Sequence, residues 1–206
     1  MDKEIALQKL KSEIERNKSL PLIEANLVFG EGNSSADVLF IGEAPGFYED
    51  REGRPFVGRA GKLLDELIKS IGWSREDVYI TNIVKRRPPE NRDPLPEEIA
   101  AYAPYLKNQI EILDSKIIVP LGRFSMNYFL PNALISRDQG TIFRFKNKVI
   151  FPVYHPAAAL RSTTVLNKLK ESFAKLPKIL MNFEELISKN AREESEKKVG
   201  DQKTLF

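Results

Sequence analysis

Four short segments hold the residues of this chain best suited to chemistry. Gly42-Glu43-Ala44-Pro45-Gly46 is followed by Glu49-Asp50, and Gly53-Arg54-Pro55-Phe56-Val57-Gly58 runs into Arg59-Ala60-Gly61. Thr81-Asn82 precedes Lys85-Arg86-Arg87-Pro88-Pro89, and His155-Pro156-Ala157-Ala158-Ala159-Leu160-Arg161 carries the sole histidine. A glutamate after a glycine turn can take a proton or balance a developing cation. An asparagine side chain offers a donor and an acceptor together and can read an amide-like edge. A phenylalanine framed by proline and glycine is a rigid plate on which a flat heterocycle can stack. A histidine can donate to an oxygen that gains charge. Each also has a plainer use: a strand-to-helix turn, a core plug, a loop cap, a satisfied core imidazole.

The elements around these segments must bring them together. Leu7, Leu10 and Ile14 recur at helical spacing between charges, which predicts an amphipathic helix over 3–16. Residues 37–41 form an apolar run ending at Gly42, the pattern of a buried strand. Ala60, Leu63, Leu64, Leu67, Ile68 and Ile71 mark a helix that Gly72 stops. Residues 78–81 predict a second strand. Residues 85–96 hold four prolines and exclude regular structure. Pro96 opens a third helix with Ile99, Leu106, Ile110 and Leu113 inward. Residues 116–120 predict a third strand, and 123–130 a short helix. Residues 141–145 and 149–154 flank a turn, predicting a hairpin that leads into a fourth core strand. Residues 163–188 read as helical, with a break expected at Pro177.

Alternating strands and helices predict an α/β fold: a three-layer α/β/α sandwich around a central, mainly parallel four-stranded sheet. Ligands of such sheets bind beyond the carboxyl ends of the strands. The residues there are Gly42-Glu43, Asn82, Gly122 and His155, so Glu, Asn and the only His would converge on one edge.

Composition narrows the chemistry. The 206 residues are 42% hydrophobic and 30% charged, with a net charge of +3. That suits one domain and supports a polyanionic partner only weakly. There is no cysteine, hence no disulfide, thiolate metal site or thiol nucleophile, and one histidine cannot make a His-rich zinc site. No apolar run approaches the roughly 20 residues of a membrane span. The charged N-terminus lacks a signal-peptide core, so a cytoplasmic location is expected.

Taken in order, GEAPGxxED, GRPFVGxAG, TNxVK and HPAAALR resemble the thermostable uracil-DNA glycosylase family, and Arg92-Asp93-Pro94 and Pro96-Glu97-Glu98 extend the likeness over about residues 17–175. The resemblance implies a DNA repair enzyme that flips uracil out of DNA and hydrolyses its N-glycosidic bond, leaving an abasic site. It implies that Phe56 stacks on the base, Asn82 reads its Watson–Crick edge and His155 donates to O2. Glu43 would activate water and favour the cationic sugar, with Gly42 and Ala44 framing the pocket. Glu49 would exclude the thymine methyl, and Leu160 would fill the space the base leaves. Arg59, Lys85, Arg86, Arg87 and Arg161 would contact phosphates.

That family normally carries an iron–sulfur cluster on four cysteines, and the matching positions here are Asn17, Leu20, Arg86 and Tyr102. The resemblance thus implies a member without the cluster, its N-terminal segment held by packing. Leu20 and Tyr102 are expected to fill the vacated volume, with Arg86 pointing outwards or paired with an acid. A related branch crosslinks itself to DNA through a histidine near a KRR loop, but Pro88-Pro89-Glu90-Asn91-Arg92 follows here without one. A reading from another class is a catalytically silent DNA- or clamp-binding protein on a glycosylase scaffold.

Residues 1–188 read as one domain, expected to be monomeric. Residues 189–206 read as a flexible charged tail ending Gln202-Lys203-Thr204-Leu205-Phe206. Its Q-x-x-L-F pattern resembles the peptide by which bacterial repair proteins hold the sliding clamp. Gln202 would bond to backbone, and Leu205 and Phe206 would fill an apolar pocket. A frayed end with two stray apolar residues is the plainer alternative.

Overall fold

Period-two alternation in the central strands decides the layering. The computed structural model describes residues 2–188. In β2 (Val38–Gly42) all five residues are buried, yet they divide between two cores: Val38 and Phe40 join one cluster, Leu39 and Ile41 the other. Successive strand side chains point to opposite faces, so a strand covered on both sides reads as a continuous apolar run. In β3 (Tyr79–Asn82), Ile80 and Tyr79 divide the same way. In β4 (Ile117–Pro120), Ile117 and Val119 face one cluster and Ile118 the other.

The sheet order is β1-β3-β2-β4-β6-β5, with β1 at Glu31–Gly32, β5 at Phe143–Phe145 and β6 at Lys148–Ile150. The four inner strands are parallel, Phe40 standing between Ile80 and Val119. Both edge strands are antiparallel. The sheet therefore has six strands where the sequence pattern gives four. The additions are a two-residue strand, too short to carry a period, and the outer arm of the expected hairpin. The hairpin is also shorter than expected. After Ile150 the strand ends, but the chain still follows β4: Phe151 and Val153 donate their amides to the carbonyls of Ile118 and Pro120, and Leu121 and Val153 form a bridge.

One face is covered by α3 (Arg59–Ser70), α7 (Pro156–Ala159) and α8 (Thr163–Met181). The other is covered by α1 (Lys3–Arg16), α4 (Pro96–Leu113) and α5 (Arg123–Phe129). The short helices α2 (Phe47–Glu52) and α6 (Ile135–Asp138) bury no residue. The break expected at Pro177 is absent: α8 runs through it, and the interruption comes at Asn182 before helix resumes over 183–188. A proline inside a helix costs about 3 kcal/mol. Burying Phe173, Leu176 and Ile179 on the inner face contributes about 1.5–3 kcal/mol each, which offsets that cost and carries the helix past Pro177. No helix among the described residues is long and apolar enough to cross a membrane.

Candidate active site

The carboxyl ends of the parallel strands open onto one cavity of about 670 Å3. Glu43 follows β2, Asn82 ends β3, Gly122 follows β4, and His155 lies beyond β6; all four line it. Glu43 and Asn82 are tied through backbone, because Ile83 and Val84 donate their amides to the carbonyls of Gly42 and Glu43 at 3.0 Å each. Ala44 also lines the cavity. Gly42 is required by close approach: a Cβ there would overlap both Asn82 Oδ1 and the Phe56 ring.

Phe56 is held by three separate devices in a backbone conformation that side chains disfavour, with φ of +52°. Glu49 Oε1 accepts the amides of Val57 at 2.9 Å and Gly58 at 2.8 Å. The Arg75 guanidinium donates to the carbonyls of Pro55 and Phe56 and is itself fixed by Glu31 and Asp65. Gly61 lets α3 pack directly against the Phe56 carbonyl, where any Cβ would collide. The ring so positioned lies 5.7 Å from the His155 ring, tilted by 33°.

His155 caps α7, its Nδ1 accepting the Ala157 amide at 3.1 Å. An acceptor at Nδ1 places the proton of the neutral ring on Nε2. Burial pushes the His155 pKa down to about 4, against a smaller upward pull from the Glu49 carboxylate. The imidazole is therefore a neutral donor at physiological pH. Asn82 is only 2% exposed, and its Oδ1 has no partner among the described residues. A buried amide oxygen left unpaired costs about 1–3 kcal/mol, a cost that a ligand N–H would remove.

Glu43 is pushed up to about 7, chiefly by burial and then by the charge of Asp93, with Arg123 opposing. Asp93 and Arg123 pair at 2.7 Å and both line the cavity. The sequence assigns neither a role: Asp93 enters only within Arg92-Asp93-Pro94, which extends the family likeness, and Arg123 opens a short helix. Glu49 lines the cavity as expected, and its bonds to the Phe56 loop are an addition to the steric role the resemblance implies. Leu160 is exposed at the end of α7, outside the cavity lining, whereas Arg161 beside it lines the wall.

Two expected phosphate contacts are corrected. Lys85 is fully buried and donates to Thr81 Oγ1, the Asn82 carbonyl and Gln109 Oε1. Arg86 is also buried and donates to the carbonyls of Ile23 and Ala25. Neither reaches the surface. A run of basic residues reads as solvated, but here the first two sit on a segment threaded between β3 and α4. Arg59 and Arg161 are exposed, and Arg87 is half-buried.

The positions that correspond to cluster ligands lie around one junction. Asn17 ends α1 and donates to the Tyr105 hydroxyl at 2.7 Å; the Tyr102 hydroxyl donates to the Pro21 carbonyl at 2.9 Å. Leu20 and Tyr102 pack in one apolar cluster, as expected. Arg86 departs from expectation: it turns inwards to backbone carbonyls and to Tyr102 rather than outwards or to an acid. These four side chains offer no thiolate and do not fit an iron–sulfur cluster. Among the described residues no group of His, Asp and Glu is placed to hold a metal ion. The tail residues Gln202, Leu205 and Phe206 lie outside the described residues.

The sequence profile of the Uracil DNA glycosylase superfamily matches residues 29–178. A type-4 uracil-DNA glycosylase of Sulfurisphaera tokodaii is 46% identical over 83% of this chain and 83% of its own length. One from Saccharolobus solfataricus is 49% identical over 75% of this chain and 76% of its own. One from Thermotoga maritima is 46% identical over 69% and 76%.

Proposed function

Because this chain belongs to the uracil DNA glycosylase superfamily, we propose that it excises uracil from DNA and leaves an abasic site for base excision repair. The observation that carries this reading is the unpartnered, buried Oδ1 of Asn82, a residue that lines the same cavity as the neutral His155 donor. Uracil presents an N3–H between two carbonyl oxygens. Asn82 Oδ1 takes the N3–H and its amide gives to O4, while His155 Nε2–H gives to O2. Cytosine lacks the N3–H and would leave Oδ1 unsatisfied.

Phe56 stacks on the flipped ring. The C1′–N1 bond breaks with its electron pair going to the base, where negative charge collects at O2 beside His155. A preorganised donor at such an oxygen is worth about 3–4 kcal/mol. Water adds to C1′ and gives its proton to Glu43, whose carboxylate also offsets the positive sugar. Phosphate contacts fall to Arg59, Arg87 and Arg161. The chain works without an iron–sulfur cluster, a reading supported by the absence of cysteine and by the hydrogen-bonded side chains at all ligand positions but Leu20. It acts in the cytoplasm as a monomer, with residues 1–188 forming the enzyme and the tail holding a sliding clamp.

The test is single-turnover release of uracil from single- and double-stranded oligonucleotides. Wild type should release it, and Asn82→Ala and His155→Ala should be slowed by about a hundredfold or more. Absence of release by wild type would leave a DNA-binding protein on this scaffold instead.

A further inference from the structure

Helix α2 contributes nothing to either core. None of its residues is buried, and its first two, Phe47 and Tyr48, are 49% and 52% exposed. They stand between Gly46 and Glu49, both of which line the cavity. The two rings meet edge to face, centroids 5.5 Å apart. On one side the Arg87 guanidinium lies 5.1 Å from the Phe47 ring, oriented by Asn91, another cavity residue. On the other side Tyr48 packs beside Gly58, next to exposed Arg59. Next to the cavity thus stands an aromatic pair, with the Arg87 guanidinium against one ring and Arg59 exposed one residue after the glycine beside the other.

Two half-exposed rings beside a polar cavity need a partner with flat apolar faces and negative charge. Unpaired nucleotides have both: bases stack on aromatic side chains without regard to sequence, and phosphates pair with arginine. We infer that Phe47 and Tyr48 form a stacking shelf for the unpaired bases next to the excised nucleotide, with Arg87 and Arg59 holding the phosphates on either side. This rests on the glycosylase reading, since the cavity must receive the nucleotide whose neighbours reach the shelf. In a duplex those neighbours are stacked and paired, so the shelf favours single strands.

The experiment crosses protein rings with DNA bases. Binding is measured on single strands carrying 2′-fluoro-deoxyuridine, which resists cleavage, with the bases on each side either present or replaced by tetrahydrofuran spacers. Proteins are wild type and Phe47→Leu/Tyr48→Leu, which keeps apolar bulk and removes the π-faces. Wild type should lose roughly tenfold in affinity with the spacers, and the variant should lose almost none. A Phe47→Trp/Tyr48→Trp protein should recover the wild-type response, which a merely structural role for the rings would not produce. Equal losses in wild type and the leucine variant would overturn the shelf. Uracil release by wild type in a parallel assay, alongside such equal losses, would confine the failure to the shelf; no release would overturn the glycosylase reading and the shelf with it.

Discussion

Glu43 and Asp93 make the residue scale testable through pH. Glu43 must be ionised to take a proton from water, and its pKa stands at about 7 through burial and then Asp93. The rate should therefore rise with pH, with kcat/KM half-maximal near 7. Asp93→Asn removes a charge that raises this pKa, so its profile should shift to lower pH; an unshifted profile would separate Glu43 from the rate-limiting protonation. Glu49 gives a second prediction. Glu49→Ala frees the amides of Val57 and Gly58 and with them the Phe56 loop, so uracil excision should fall by about ten- to a hundredfold, with thymine release as the accompanying gain. Glu49→Gln retains an acceptor oxygen and should lose far less in a single-turnover assay. The types of the site residues were readable from the motifs because they sit at strand ends, where the fold class alone says ligands bind. The bonds that prepare them were not. Asp93, Arg123, Arg75 and Gln109 reach the site from loops and helices distant in sequence, and no local pattern encodes such partners.

At the scale of elements, β3 and the segment after it behave as one unit. Lys85 reaches back to the Asn82 carbonyl at 2.9 Å and forward to Gln109 on α4, so one buried side chain couples the strand end that carries Asn82 to a covering helix layer. Burial holds its pKa well below the usual 10.5. The unfolded chain then binds this proton more tightly than the folded one, so stability should rise with pH until the unfolded-state value of about 10.4 is passed. Lys85→Met should remove up to about 1.4 kcal/mol per pH unit of that slope, measured by urea unfolding at several pH values; an unchanged slope would show that Lys85 titrates normally. The family resemblance, by contrast, implies phosphate contacts for Lys85 and Arg86. Periodicity locates helices and buried strands well because burial imposes it: α1, α3 and β2 lie within a residue or two of expectation. It fails where burial serves a polar network, as at Lys85, or where tertiary contacts override a local breaker, as at Pro177.

For the whole molecule, the question is what ties its ends to the body. The last residues should hold a bacterial-type clamp through Gln202, Leu205 and Phe206: a protein ending at Asp201 should lose clamp binding of roughly micromolar strength while excising uracil from short DNA at the wild-type rate, and equal clamp binding by both proteins would exclude that role for these residues. The other end is fixed from within. Helix α1 buries Leu7, Leu10 and Ile14 against α4, and the chain after it is pinned where Asn17 meets Tyr105, Tyr102 meets the Pro21 carbonyl and Arg86 meets the carbonyls of Ile23 and Ala25. These are hydrogen bonds between side chains or from side chain to backbone, so neither chelator nor reductant should change the thermal midpoint, and the protein should be colourless. Arg86→Ala should lower it instead. A charged donor to a buried carbonyl is worth about 1.5–3 kcal/mol, and at this chain length each kcal/mol moves the midpoint by about 2–4 °C, so a loss of roughly 3–12 °C is expected. Calorimetry of wild type and Arg86→Ala, each with and without chelator, separates the two ways of closing the junction. A fall with chelator in the wild-type protein would point to a bound metal, and an unmoved midpoint in Arg86→Ala would show that apolar packing of Leu20 and Tyr102 suffices alone.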